Sequence, residues 1–216
     1  MAIELDHLFI CTDVGGPAGD ALVRFGLREG LPNRHPGQGT ACRRFSFQNA
    51  MLELLWVCDP EEAQSEPTRR TMLWERWSAR NGGASPFGIC VRPACHSSNA
   101  VPFPAREYRP AYLPEPLAMH LAVAGIEEPM WIYIGFAKRA DRERHFAGHP
   151  AGICEVTSVT LISPVSMCSD ASKLSIDEGV LKIVMGPAPA LEIEFDHSPR
   201  NRKHDFRPLL PLMFRF

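Results

Sequence analysis

The apolar residues of this chain come in short runs, nearly all closed by glycine or proline, and this limits what the chain can fold into. Short apolar runs between turn residues read as strands, whereas a helix shows a periodic stripe over about ten residues or more. Three of the runs are alike: HLFIC (7–11), FGICV (87–91) and VTLIS (159–163). Each leads through a connection to two further strand-like segments, and the second of these carries LELLW (52–56), IYIGF (132–136) or LEIEF (191–195). Such self-similarity predicts duplicated β-sheet modules rather than a solenoid, whose units are shorter and more regular. The modules span about 3–57, 86–136 and 153–196 within a single domain, 1–216.

Along the chain, Ile3 to Cys11 reads as a strand with Leu5, His7, Phe9 and Cys11 on one face and Leu8 and Ile10 on the other. Pro17 to Glu29 reads as a helix that opens on proline, carries Ala18, Ala21, Leu22 and Phe25 as its stripe, and stops at Gly30. Ala41 to Gln48 and Met51 to Val57 follow as strands, and Thr68 to Arg80 as a second helix. Phe87 to Val91 is a strand. The proline-rich stretch from Pro93 to Pro116 is irregular, with room for one short edge strand. Leu117 to Ala124 and Trp131 to Phe136 form a strand pair, and a charged segment, Lys138 to Arg144, follows. The pattern then restarts with strands at Val156 to Ile162, Val180 to Met185 and Leu191 to Phe195, and a short helix near Ser169 to Leu174. The expected fold class is therefore α/β of the α+β type, with repeated modules in bent, mainly antiparallel sheets. The helices from Pro17 and Thr68 are expected on the outer faces.

Composition excludes several classes of function. A net charge of −2 gives no basic footprint for nucleic acid or for an anionic membrane surface. The densest basic cluster, Arg200, Arg202 and Lys203, is broken by Asn201 and followed by Asp205, as in a solvated loop. No apolar stretch approaches the ~20 residues of a membrane span. The N-terminus carries Glu4 and Asp6 and no basic leader region. Seven cysteines, an odd number without a C-x-x-C pair, read as small hydrophobes in a reducing compartment. A cytoplasmic small-molecule protein is the expectation, and a homodimer is the commonest oligomer for any such chain. GGPAG (15–19) precedes a helix but lacks the full dinucleotide spacing and any phosphate-binding lysine, so nucleotide binding is rejected. Cys95 and His96 lie near Cys90 without a second pair to make a metal motif. Trp74 and Trp77 read as core packing or a dimer contact rather than a stacking platform.

Several segments together, DHLFI (6–10), GTACRRFSFQNAMLELLWV (39–57), SPFGICVRP (85–93) and HPAGICEVTSVTLISP (149–164), resemble the vicinal-oxygen-chelate superfamily. That superfamily comprises glyoxalases, extradiol dioxygenases and antibiotic-resistance proteins, and the likeness is greatest to bacterial glyoxalase-like domain proteins. The resemblance covers the first ~90 residues well and 149–196 moderately. It implies βαβββ-like modules curled into a cup that holds a divalent metal (Zn, Mn, Ni, Fe or Mg) on His, Gln or Glu side chains. By that resemblance His7, Glu53 and Glu192 are the metal ligands, and Glu53 or Glu192 doubles as the catalytic base. The fourth ligand position falls on Ser158, a poor ligand beside imidazole and carboxylate.

From the residues alone, a titratable group on an apolar strand face is informative, because burial without a partner costs several kcal/mol. Arg44 lies opposite Phe45 and Phe47, which would aim it into the cup as a substrate-binding residue for a carboxylate or phosphate. The bland readings are a satisfied core histidine at His7, a surface arginine at Arg44, and a wet strand face for Glu192 alternating with Glu194 and Asp196. Two functions follow. One is a metal-assisted lyase, isomerase or dioxygenase acting on an oxygen-rich small substrate. The other is a metal-free cup that binds or sequesters a small molecule.

Overall fold

The computed structural model of the protein describes residues 2–94, 100–138 and 148–216. Cys95 and His96, and the charged segment beyond Lys138, lie outside the described residues. The elements run β1 (Ile3–Cys11), α1 (Gly19–Phe25), β2 (Asn33–His35), β3 (Thr40–Ser46), β4 (Met51–Val57), α2 (Pro60–Gln64), a 3₁₀ turn (Thr68–Thr71) and α3 (Leu73–Ser78). They continue with β5 (Phe87–Pro93), β6 (Ala105–Tyr108), β7 (Met119–Ala122), β8 (Met130–Tyr133), β9 (Val156–Ser163) and α4 (Asp170–Asp177). The chain ends with β10 (Lys182–Met185), β11 (Ala190–Phe195), β12 (Lys203–Asp205) and β13 (Leu212–Arg215).

Two sheets form, an eight-stranded one in the order β2-β3-β4-β1-β5-β8-β7-β6 and a five-stranded one in the order β10-β9-β11-β13-β12. At the centre of the large sheet β1 and β5 run antiparallel, and each lies parallel to the last strand of its own half, β4 or β8. The two halves therefore repeat one arrangement, strand by strand, across the β1–β5 seam. Most of the other pairings are antiparallel, as the short connections between strands require.

Period-two alternation assigns each strand two faces, and both faces of the large sheet are used. Leu8, Ile10, Leu52, Leu54, Phe87 and Ile89 enter a layer shared with Leu161, Leu191, Ile193, Phe195 and Phe214 of the small sheet. Burying each of these side chains contributes roughly 1.5–3 kcal/mol. α1 fits into the same layer through Leu22, and its Phe25 ring packs edge-on against Phe206, Phe214 and Phe216. The opposite face carries Phe9, Cys11, Cys42, Leu55, Cys90 and Ile132, covered at one end by Leu73 and Trp77 of α3. This is the concave face. Gly88 is required there, because a Cβ at that position would collide with the Phe9 ring lying across it.

The curl of the large sheet is fixed at its edges. β2 and β6 are the two edge strands, yet the Tyr108 hydroxyl at the end of β6 donates to Gln38 Oε1, just past β2, at 3.0 Å. The Tyr112 ring lies 4.9 Å from His35 on β2. The two halves thus meet a second time, across the mouth of the cup.

The helices from Pro17 and Thr68 are shorter than the sequence predicts, whereas α4 runs three residues beyond Leu174. α1 stops at Gly26, whose φ of 107° turns its N–H back onto Leu22 and Val23. The helix expected over Thr68 to Arg80 is split at Met72, which adopts a left-handed φ of 58° between the 3₁₀ turn and α3. α3 packs on the concave face, not on the outer face expected for it, because Leu73 and Trp77 complete the cluster around Phe9 and Leu55. β2, α2, β12 and β13 are additions. α2 starts on an Asp59 cap, which accepts from the N–H groups of Glu61 and Glu62, with Pro60 in its first turn.

Candidate functional site

His7 and Glu53 share the concave face. Glu53 is in register with Phe9 on the neighbouring strand, and Phe9 is two residues from His7, so all three project to the same side. Glu53 is 6% exposed on this largely apolar surface. His7 is also directly opposite Cys90 on β5. One irregularity interrupts β1: its register with β5 shifts between Leu5 and His7, so Leu5 packs with the inter-sheet layer and not with Phe9.

His7 is held from behind. Its Nδ1 lies 2.6 Å from Asp6 Oδ1. Asp6 is fixed in turn by Arg92, a guanidinium only 2% exposed that donates to Asp6 Oδ2 at 2.9 Å, Glu4 Oε1 at 3.0 Å and the Asn49 carbonyl at 3.0 Å. Burial works against a charge on His7, but the Asp6 hydrogen bond and the nearby Glu53 carboxylate outweigh it and hold the ring above the ordinary histidine range. Asp6 moves the other way: burial would raise it, and the contacts with His7 and Arg92 bring it below the usual carboxylate value. The Cys90 thiol is pushed up by burial. The result is a cationic imidazole whose side chain remains 17% exposed to the cup.

His35 is the electrostatic opposite. Asn33 Nδ2 lies 2.9 Å from its Nε2 and Thr40 Oγ1 lies 2.9 Å from its Nδ1. With the Asn33 amide donating to Nε2, the ring is the neutral tautomer with its proton on Nδ1. Burial lowers its pKa, in agreement with that assignment. Cys42, fully buried beside Glu53, interacts with that carboxylate, and burial with this contact drives the thiol pKa up. Burial also raises the pKa of Tyr112, which feels Tyr108, Glu53, Cys90 and Cys42. The cup therefore joins one charged histidine, one neutral histidine, a buried carboxylate and a phenol over an apolar floor.

The other residues expected at the site lie elsewhere or act differently. Glu192 is on β11 of the small sheet, opposite Met213 and Thr160, where it faces Lys203 Nζ at 3.5 Å and Arg215 Nη1 at 3.4 Å. The structure does not bring it to His7 or Glu53, because the LEIEF strand belongs to a different sheet from the LELLW strand it resembles. Ser158 is likewise on β9 of the small sheet, opposite Glu194. The residue across from His7 is Cys90. Arg44 is in register with Glu53 on the concave side, but its guanidinium donates to the Leu31 carbonyl at 3.2 and 3.1 Å, at the rim. Asp6, Cys42, Cys90, His35 and Arg92 were not singled out from sequence. Asp6 is the chain neighbour of His7, and strand pairing brings Cys90 and Arg92 of β5, Cys42 of β3 and His35 of β2 to it.

As a donor set for a divalent cation, these residues fit poorly. Asp6 takes Nδ1 of His7 and leaves Nε2 as its one nitrogen for a cation, and the side chain across from it is the Cys90 thiol. Ile132, opposite Cys90 on β8, is apolar. Among the described residues no three His, Cys, Asp or Glu side chains are grouped so as to hold a metal ion. Also among the described residues, no helix is long and apolar enough to cross a membrane.

No protein-family model and no curated protein matches the chain. Two solved structures align with the chain. A xylose isomerase-like TIM barrel/4-hydroxyphenylpyruvate dioxygenase fusion protein aligns at a TM-score of 0.45 and 12% identity, over 90% of this chain and 36% of that one. A hypothetical protein from Staphylococcus aureus aligns with a TM-score of 0.52 and 13% identity, over 99% of this chain and 98% of that one, so the two share one fold along their whole length.

Proposed function

We propose that this chain is a glyoxalase-like small-molecule protein, resembling the vicinal-oxygen-chelate superfamily, whose cup takes up its ligand without a metal. The observation that supports this reading is the make-up of the site: a thiol, not an imidazole, stands across from His7, the apolar Ile132 lies beyond it, and among the described residues no three His, Cys, Asp or Glu side chains are grouped to hold a metal ion. A cationic imidazole above Phe9 and Ile132 suits a small, partly aromatic molecule bearing a carboxylate or carbonyl oxygen. The apolar part of such a ligand displaces water from the floor, and its oxygen accepts from the ring. The metal-assisted lyase, isomerase or dioxygenase is the second reading. It is favoured by one fact, a buried carboxylate sharing a strand face with a histidine.

Thermal shift separates the two. A panel of Zn, Mn, Ni, Fe and Mg is expected to leave the melting temperature unchanged. A fitting aromatic acid or ketone at 100 times its Kd stabilises by about 2.7 kcal/mol. That stabilisation is expected to disappear in His7→Ala. A metal-dependent rise in melting temperature that is lost in both His7→Ala and Glu53→Gln would overturn the metal-free reading and establish the second.

A further inference from the structure

A cleft of about 590 Å³ opens between the two sheets, beyond the end of β1. Its inner wall is Phe87, Ala18, Leu161 and Leu210, members of the inter-sheet layer, while Cys11 at the end of β1 is a lining residue that belongs to the concave-face cluster. The cleft thus opens mainly into a different layer from that of His7 and Glu53. Its size falls within the roughly 300–1,000 Å³ of small-molecule sites, and the junction of two layers is where such sites recur.

The chemistry of the walls defines the occupant. Six prolines, Pro17, Pro86, Pro164, Pro189, Pro208 and Pro211, contribute to the lining. Proline has a fixed φ and no N–H, so these walls are stiff and poor in hydrogen-bond donors. The two arginines of the lining are already compensated. Arg80 is bound to Asp13 and to the Trp77 carbonyl, and stacks 4.8 Å above the Trp77 ring. Arg207 is bound to Asp205 through contacts of 2.9, 3.1 and 2.5 Å. Glu127 adds an exposed carboxylate to the lining, which repels anions. We propose that this cleft is a second small-molecule site, separate from the cup, for a neutral and predominantly apolar ligand. Binding there buries apolar surface on preformed walls, so little ordering of the chain opposes it.

N-Phenyl-1-naphthylamine, a neutral fluorescent amine, is the probe. It is expected to bind saturably at one site per chain, at least tenfold more tightly than the anionic 8-anilino-1-naphthalenesulfonate. Met167→Trp, which fills the cleft from a half-buried lining position, is expected to weaken the neutral probe at least tenfold. Leu209→Asp, at a lining residue 55% exposed, places a charge there without touching the core and is expected to do the same, should the tryptophan variant fail to fold. Glu53→Gln, in the cup, is expected to leave probe affinity unchanged. Absence of saturable binding, equal affinity for the sulfonate, indifference to the substitutions made in the cleft, or loss of the probe in Glu53→Gln would each overturn the proposal.

Discussion

At the scale of single residues, the site depends on how Asp6, His7 and Arg92 hold one another. His7 titrates above its ordinary value of 6.5 in the folded chain, so its stabilising contribution is complete below that value and is lost as pH rises through the raised pKa. Asp6 lies below its ordinary 3.8, so its contribution is present above that value and is lost as pH falls through the lowered pKa. Melting temperature is therefore expected to fall on both sides of a plateau that includes neutral pH. The alkaline fall should shrink in His7→Gln; an unchanged alkaline limb would mean that His7 is not the group titrating there. Arg92→Met removes the buried guanidinium that Glu4 and Asp6 share. It is expected to cost about 3–5 kcal/mol in urea unfolding, and a loss under about 1 kcal/mol would show the network to be dispensable. Sequence made part of this legible. Alternation along HLFIC and LELLW places His7 and Glu53 on common faces of their strands, but the neighbouring run that supplies Cys90 is identified only once β5 is known to pair with β1. Leu5 was assigned to the wrong face because one register shift between it and His7 reverses the alternation.

At the scale of elements, the short helices are held by tertiary contacts more than by their own propensity, and this is also why their limits were hard to read. α4 is the clearest case. The buried Glu128 accepts from the N–H groups of Cys168 and Ser169 at 2.8 and 3.0 Å and from the Ser169 hydroxyl at 2.6 Å. It also lies 3.3 Å from Trp131 Nε1, so one carboxylate from the large-sheet side holds the start of a helix that belongs to the small sheet. Glu128→Ala is expected to cost about 3 kcal/mol, since it strands several buried donors at once, and to expose α4 amides to hydrogen exchange before the rest of the chain. Uniform exchange across the molecule would count against this role. α3 depends on Arg76 in a similar way: its buried guanidinium, with a pKa pulled down to about 10 by burial, donates to the carbonyls of Ser85, Ile126 and Glu128. Neither anchor has a local pattern around it. The strands were easier to read, because alternation between two apolar layers is local information. β2, β12 and β13 were missed because they are short and polar or proline-flanked, and only their pairing makes them strands.

At the scale of the whole molecule, the repeat seen in the sequence becomes two equivalent halves of one sheet, while the third apolar opening, VTLIS, goes to a second sheet. The repeat signal could not distinguish those destinations, since a strand's partners are set by long-range pairing, and this is why Glu192 was expected beside His7. The same long-range pairing closes the cup. Gln38 joins the two edges of the large sheet: its Nε2 donates to Thr40 Oγ1 at 2.8 Å, and its Oε1 accepts from Tyr108 at 3.0 Å and Tyr112 at 3.4 Å. Tyr108→Phe removes one hydroxyl without opening a cavity, so it isolates this tie from packing. It is expected to cost about 1 kcal/mol in overall stability. The effect is also expected to travel. Amides of β2 and β6, which lie at opposite ends of the sheet order, should exchange faster together, while β9 and β11 keep their protection. If only the residues next to Tyr108 exchange faster, the curl is set by strand twist alone, and the tie across the mouth contributes nothing to holding His7, His35 and Glu53 together on the concave face.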